Sequence, residues 1–258
     1  MRALVLTVNP LQKPKLVWAT SARDKYAVSL LDALQEHSSA CDPLVACENG
    51  PFAPDIEQRC ADRGIALKII EAGTSSLEAT LRTFAPAFVL LIGYMRLLPA
   101  ALTEKWVILN LHPALPLGPT GRWQDVIWTL MATEDRRTGT MIHVATSQMD
   151  RGPVVAYVET RLDGADLESY WAEFRRKMRT TALTTIRDTE GEAEPLFARI
   201  RSLQFAYEAP LIAFILGVLT SGHATVTKKG ITIDGTLKPD GICCTAEVQA
   251  ALQSQARH

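Results

Sequence analysis

Short apolar runs separated by amphipathic stretches constrain the fold of this chain more than any other feature. Residues 87–92 are apolar throughout, and residues 106–111 are interrupted only by Asn110. A strand with one wet face alternates polar and apolar residues, whereas a strand covered on both faces does not. Residues 43–47 and 65–70 read as further strands, and residues 2–8 as the first. Residues 21–35 place Ala22, Tyr26, Leu30, Leu31 and Leu34 on one face of a helix. Ser21 is its expected cap, with Asp24 in a capping-box position. Residues 55–63 form another helix that stops at Gly64, a residue suited to a left-handed C-terminus. Residues 75–83 form a third, capped by Thr74 or Ser75. This order predicts an α/β fold: an open, mostly parallel, Rossmann-like sheet with helices on both faces and right-handed crossovers.

The later half continues the pattern. Residues 121–134 read as a helix with Val126, Ile127, Leu130 and Met131 inward. Residues 140–144 and 154–158 are strands joined by the turn 149–153. Residues 167–187 read as one charged helix with Trp171, Phe174 and Met178 on one face, and 188–194 as a polar loop. Residues 195–219 form a long helix with a bend expected at Pro210. A hairpin over 226–233, a short helix to 247 and a frayed tail from 249 complete the chain.

Composition excludes several functions. The net charge of −1 gives no field for nucleic acid or an anionic membrane. No run of eighteen apolar residues occurs, so no membrane span is expected, and residues 210–219 read as buried core. The apolar run after Arg2 is too short for a secretory signal. Five irregularly spaced cysteines argue against a disulfide framework, and they predict reduced thiols in a cytoplasmic protein.

Chemistry concentrates at two strand ends. Asn110 and His112 are two residues apart, so they project to the same side of a strand that Pro113 then stops. The proline- and glycine-bearing loop to Gly121 suits a cleft wall. Asp150 follows a strand that contains His143. Singly, each has an ordinary explanation: backbone pairing for Asn110, turn formation for His112 and Asp150, and buried packing for His143. A metal site of His112, His143 and Asp150 is disfavoured, because no two have short ligand spacing. Taken together, an amide, an imidazole and a carboxylate suit oxyanion stabilisation and proton transfer.

Three ordered blocks sharpen this. Gly93-Tyr94-Met95-Arg96-Leu97-Leu98-Pro99, Ile108-Leu109-Asn110-Leu111-His112-Pro113-Ala114-Leu115-Pro116 and Met149-Asp150-Arg151-Gly152-Pro153 together resemble the 10-formyltetrahydrofolate-dependent formyltransferase family. The likeness is greatest to the branch that acts on glycinamide ribonucleotide, and it covers roughly residues 88–158. It implies a catalytic domain over 1–195, with 161–194 an insertion or lid, and a C-terminal helix and hairpin over 196–258 packed on the same domain. It implies 10-formyltetrahydrofolate as formyl donor, no metal, and a small-molecule amine as acceptor. Asn110 and His112 would hold the oxyanion of the tetrahedral intermediate, and Asp150 would raise the basicity of His112. Tyr94, Met95, Arg96, Leu97 and Leu98, with Thr146, Gln148 and Met149, would form the pterin slot.

The sequence departs from that family where an acceptor belongs. The branch acting on glycinamide ribonucleotide holds its substrate phosphate with a glycine-rich loop after the first strand. Here no glycine precedes Gly50, and backbone amides approach a phosphate less closely without one. Residues 204–208, Gln-Phe-Ala-Tyr-Glu, stand where that branch has a Glu-His pair. The expected acceptor is therefore an amine other than standard glycinamide ribonucleotide. The apolar stripe near Trp171 is expected to dock on the core, with a cleft lid or a homodimer contact as the other options.

Three alternatives remain. Water as acceptor would make a formyltetrahydrofolate hydrolase, although such hydrolases carry an additional N-terminal domain for which this chain leaves no room. A noncatalytic folate- or metabolite-binding module would keep the scaffold alone. A nicotinamide dehydrogenase is disfavoured, because no Gly-x-Gly-x-x-Gly follows the first strand.

Overall fold

The computed structural model describes residues 13–37 and 39–255. The chain runs β1 (Lys15–Thr20), α1 (Tyr26–Leu30), α2 (Asp32–His37), β2 (Asp42–Glu48), α3 (Ala53–Arg63), β3 (Ala66–Ile70), α4 (Thr74–Phe84), β4 (Phe88–Leu91), α5 (Ala100–Lys105), β5 (Ile108–His112) and α6 (Trp123–Ala132). It continues through β6 (Arg137–Val144), β7 (Val154–Arg161), α7 (Ala165–Met178), α8 (Leu183–Glu190), α9 (Pro195–Thr220), β8 (Ala224–Thr227), β9 (Gly230–Ile233), β10 (Thr236–Lys238), β11 (Ile242–Cys243) and α10 (Thr245–Gln255).

Eight strands form one sheet in the order β11-β7-β6-β5-β4-β1-β2-β3. The first five strands in the chain are mutually parallel, β6 is antiparallel to both neighbours, and β11 is parallel to β7. Both faces of the central strands are buried. Leu16, Trp18 and Leu90 point into one core with α9, while Val17, Ala19, Val89 and Leu91 point into the opposite core. This double burial explains their unbroken apolar sequence. The sheet builds outward from β1 to β3 and then restarts at β4 on the other side of β1. That reversal opens a crevice at the carboxyl ends of β1 and β4.

Several expectations need correction. The strand expected at 2–8 lies outside the described residues, and the first described strand is β1. Its six residues carry Leu, Val, Trp and Thr, good strand formers. Residues 21–25 are loop, and the helical residues after them divide into α1 and α2. Ser21 is tied to the end of β4 and therefore caps nothing. Asp24 accepts from the backbone N–H of Tyr26 at 3.0 Å. The helix expected over 167–187 breaks into α7 and α8, so residues 188–190 are helical. Neither Thr74 nor Ser75 caps α4, whose N-cap is Gly73 with no side-chain bond. Gly64 does end α3 with φ +63°.

Helix α9 spans 26 residues and is long and apolar enough to cross a membrane by length and composition. Here Leu211, Ile212, Ile215 and Leu216 are fully buried in the core beneath the sheet, which accounts for that composition. Trp171 and Phe174 of α7 are buried against α6 and α9, whereas Met178 is exposed. The stripe on α7 is thus core packing. Beyond the expected hairpin, β10 adds a third strand to a small antiparallel sheet, and β11 returns to the edge of the main sheet.

Candidate active site

A cleft of ≈ 420 Å³ lies at the crevice. Ser21 closes the space between its two crossing loops: its Oγ donates to Gly93 O at 2.8 Å and accepts from Met95 N at 3.3 Å. Strand β5 supplies Asn110 and His112 with the shared orientation that their spacing requires. Asp150 comes from the loop between β6 and β7. It adopts φ +52°, a left-handed conformation uncommon outside glycine. Gly152 lets this loop lie against β6. A methyl at Gly152 would overlap the carbonyl oxygen of Val144 and stand 2.9 Å from its carbonyl carbon.

The sequence separates Asn110 from Asp150 by forty residues, and the fold brings them together. Asn110 Nδ2 donates to Asp150 Oδ1 at 3.3 Å. His112 Nδ1 stands 3.6 Å from Asp150 Oδ2, which also accepts from Gly121 N at 2.9 Å. His143, whose apolar strand context suggests buried packing, joins them. Its Nε2 lies 3.2 Å from Asn110 Nδ2 and 3.5 Å from Asp150 Oδ1.

Backbone carbonyls assign the ring protons. His112 Nε2 lies 2.8 Å from Pro119 O, and His143 Nδ1 lies 3.1 Å from Val144 O. A carbonyl only accepts, so each of these nitrogens carries the proton. Neutral His112 therefore keeps its lone pair on Nδ1, the nitrogen facing Asp150. Burial lowers the His112 pKa below the ordinary histidine value, against the opposing pull of Asp150. Burial alone would raise the Asp150 pKa. The neighbouring imidazoles of His143 and His112 and the Gly121 amide together bring it below the usual carboxylate value. The arrangement pairs a neutral imidazole base with an ionised carboxylate. Among the described residues, no group of three or more His, Cys, Asp or Glu side chains is placed to hold a metal ion.

Every residue expected in the pterin slot lines this cleft. Tyr94 and Leu98 are buried beneath the slot, while Met95, Leu97 and Met149 expose apolar surface at its rim. Thr146 Oγ1 accepts from Gln148 N at 3.2 Å and shapes the opposite lip. Arg96 donates through Nε to both oxygens of buried Glu48, at 2.9 and 3.1 Å. Glu48 also accepts from Gly73 N, so the Arg96–Glu48 pair braces the wall from behind.

The other wall joins two residues that the sequence marks, Trp123 as an aromatic able to cover the cleft and Glu208 in the 204–208 segment, to two that it does not, Asp24 as a lining group and Arg201. Asp24, Trp123, Arg201 and Glu208 line it. The Arg201 guanidinium lies over the rings of Tyr26, Trp123 and Phe205, at 4.1, 4.7 and 5.2 Å from their centroids. It also bonds Glu208 through Nη1, and both side chains are almost wholly buried. One signal was available: Arg201 and Glu208 are two turns apart on one face of an otherwise apolar helix.

The family model described as formyl transferase matches residues 15–183. The chain belongs to this family. Its match begins at the first residue of β1. This family member is similar to the chloroplastic phosphoribosylglycinamide formyltransferase of Arabidopsis thaliana, with 33% identity over 97 residues. That match covers 36% of this chain and only 33% of the relative, about a third of its length. The fold resembles a phosphoribosylglycinamide formyltransferase from Coxiella burnetii, with a TM-score of 0.65, 17% identity and coverage of 90% of this chain and 99% of the other. A formyltetrahydrofolate deformylase from Burkholderia mallei gives a TM-score of 0.61 at 15% identity, over 88% of this chain and 72% of the other. The two structural likenesses establish the shared α/β architecture.

Proposed function

We propose that this protein moves the formyl group of 10-formyltetrahydrofolate to a primary amine of a small molecule other than glycinamide ribonucleotide. The convergence of Asn110, His112 and Asp150 on the cleft floor carries this reading. The donor fits the apolar slot between Tyr94–Leu98 and Thr146–Met149, whose exposed Met95, Leu97 and Met149 suit a flat ring system. The loop after β1, residues 21–25, contains no glycine, and Ala22 takes the left-handed φ of +51° itself. The departure first placed after residue 8 thus applies at this loop, and it disfavours a phosphate-bearing acceptor.

Each polar group has a distinct task. One Asn110 Nδ2 proton, which rests on Asp150 Oδ1, would turn to an oxygen that becomes negative as the amine attacks. His112 Nδ1 is free of a proton at neutral pH, so it accepts one as the attacking nitrogen loses it. The resulting imidazolium faces Asp150, which stabilises the new charge. Returned to the departing nitrogen, the same proton completes the exchange: the amine gains the formyl group and loses one hydrogen, and the folate nitrogen gains that hydrogen. The Gly121 amide holds Asp150 in place.

Asn110→Ala, His112→Ala and Asp150→Ala test the reading in a transfer assay with 10-formyltetrahydrofolate and a panel of primary amines. Each is expected to lose at least about 100-fold in kcat/KM while its far-UV spectrum stays that of the parent. Transfer by all three variants at the parent rate would refute the assignment. Formate release without any amine, abolished by the same variants, would identify water as the acceptor.

A further inference from the structure

The transfer reading leaves open what the acceptor carries besides its amine. Charge on the wall formed by the loop after β1, the start of α6 and the middle of α9 bears on that question. Among the described residues, most arginines on the cleft lining already have a carboxylate. Arg96 binds Glu48, Arg122 binds Asp125 at 3.1 Å and Arg201 binds Glu208. Asp125 also takes Arg187 at 2.6 Å, and Lys25 beside the loop faces Glu192 at 4.0 Å.

Asp24 breaks this pattern. Its Oδ1 accepts from the Tyr26 backbone, but no basic side chain among the described residues lies within 4.0 Å of it. It stands at the carboxyl end of β4, where its Cβ lies 3.2 Å from the place a side chain on Gly93 would occupy. Asp24, Arg201 and Glu208 place two carboxylates beside one guanidinium at this point of the lining; burial raises the Asp24 pKa, against the opposing pull of the Tyr26 amide and Arg201. A phosphate placed here would meet the Asp24 carboxylate. It would also have to draw Arg201 away from a carboxylate that is itself almost wholly buried, an exchange that strands a buried charge.

We infer that Asp24 recognises a second positive charge on the acceptor, which is therefore a compact dibasic amine rather than a phosphate ester. One nitrogen reaches Asn110 and His112, and the other is held by Asp24 in the part of the cleft lined by Trp123. The inference rests on the transfer reading, since it concerns the acceptor half of the same site.

Three probes built on the same four-carbon chain test it: 1,4-diaminobutane, 1-aminobutane and 4-aminobutyl phosphate. Each is titrated calorimetrically into the full chain, with and without 5,8-dideazafolate, which lacks a transferable formyl group. The diamine is expected to bind at least about tenfold more tightly than 1-aminobutane, with the phosphate weaker than either. Asp24→Asn still offers an oxygen to the Tyr26 amide, so the loop keeps its shape. In this variant the diamine is expected to fall to the affinity of 1-aminobutane, whereas Asp24→Glu keeps part of the preference. Tighter binding of the phosphate, equal or undetectable binding of all three, or a diamine preference that survives Asp24→Asn would overturn the inference. Failure to bind 5,8-dideazafolate would instead count against the transfer reading, independently of how the amines rank.

Discussion

Gly152→Ala gives the sharpest structural test, because its sign opposes the general rule. Replacing glycine with alanine at a permissive position stabilises a protein by about 0.4–1 kcal/mol, since the unfolded chain loses freedom. Gly152 is not permissive. The added methyl would overlap Val144 O and sit 2.9 Å from the Val144 carbonyl carbon and 3.2 Å from Thr146 Cγ2. Carbon atoms in good contact stand roughly 3.5–4.0 Å apart. The loop must therefore retreat from the carbonyl carbon by about 0.6–1 Å, and further from the oxygen. Overpacking of this kind costs about 1–3 kcal/mol, which lowers Tm by roughly 2–12 °C for a domain of this size. Asp150 lies two residues away and moves with the loop, opening its contacts with Asn110 and His112. A displacement of ~1 Å in a catalytic group can cost about 100-fold in rate. Differential scanning fluorimetry and steady-state transfer kinetics measure the two effects. A Gly152→Ala protein with an unchanged or higher Tm and the parent rate would refute this account of how Asp150 is positioned.

Three further outcomes are expected. Loss of activity on acidification should set in below the ordinary histidine pKa of about 6.5, because burial favours neutral His112. Asp150→Asn removes the anion that opposes this shift, so in its residual activity the acid limb of kcat/KM moves to still lower pH; movement to higher pH would contradict the assignment. Glu208→Ala strands the Arg201 charge in the interior and should cost about 3–5 kcal/mol, read as a lower denaturant midpoint; replacement of both residues, Arg201→Met with Glu208→Leu, should recover most of it. Ala22→Gly relieves a left-handed alanine worth roughly 1 kcal/mol and should leave Tm unchanged or raised, whereas a fall of several degrees would show that the Ala22 methyl matters more to packing than its backbone strain.

The clustering of the proposed transfer trio was legible because strand geometry is local and regular. Two residues apart on a strand means one side, so Asn110 and His112 could be paired without knowing the fold. Asp150 could be joined to them only through the ordered blocks around it. The facing wall was harder to read for the opposite reason. Asp24 and Arg201 come from a loop and the middle of a helix, and no sequence period links them. Asp24 also imitated a capping residue, which drew the expected helix forward over a loop. Strand β1 was not marked in the sequence; the sheet partners that define it, at β2 and β4, are contributed by distant sequence. The break between α7 and α8 escaped notice because the charged residues on either side keep a helical rhythm.

Strand β11 consists of only Ile242 and Cys243, yet it covers the edge of β7, and the Cys244 amide and the Thr245 hydroxyl extend the pairing to Tyr157 and Glu159. Strand β7 leaves directly from the loop that carries Asp150. During synthesis, every other strand of the main sheet leaves the ribosome before this one. A nascent chain therefore holds β7 with a bare edge until its last segment emerges, and unpaired edges invite association with other chains. The interval between making β7 and making β11 is thus a window of aggregation risk, and a stop codon just before Ile242 would make that window permanent.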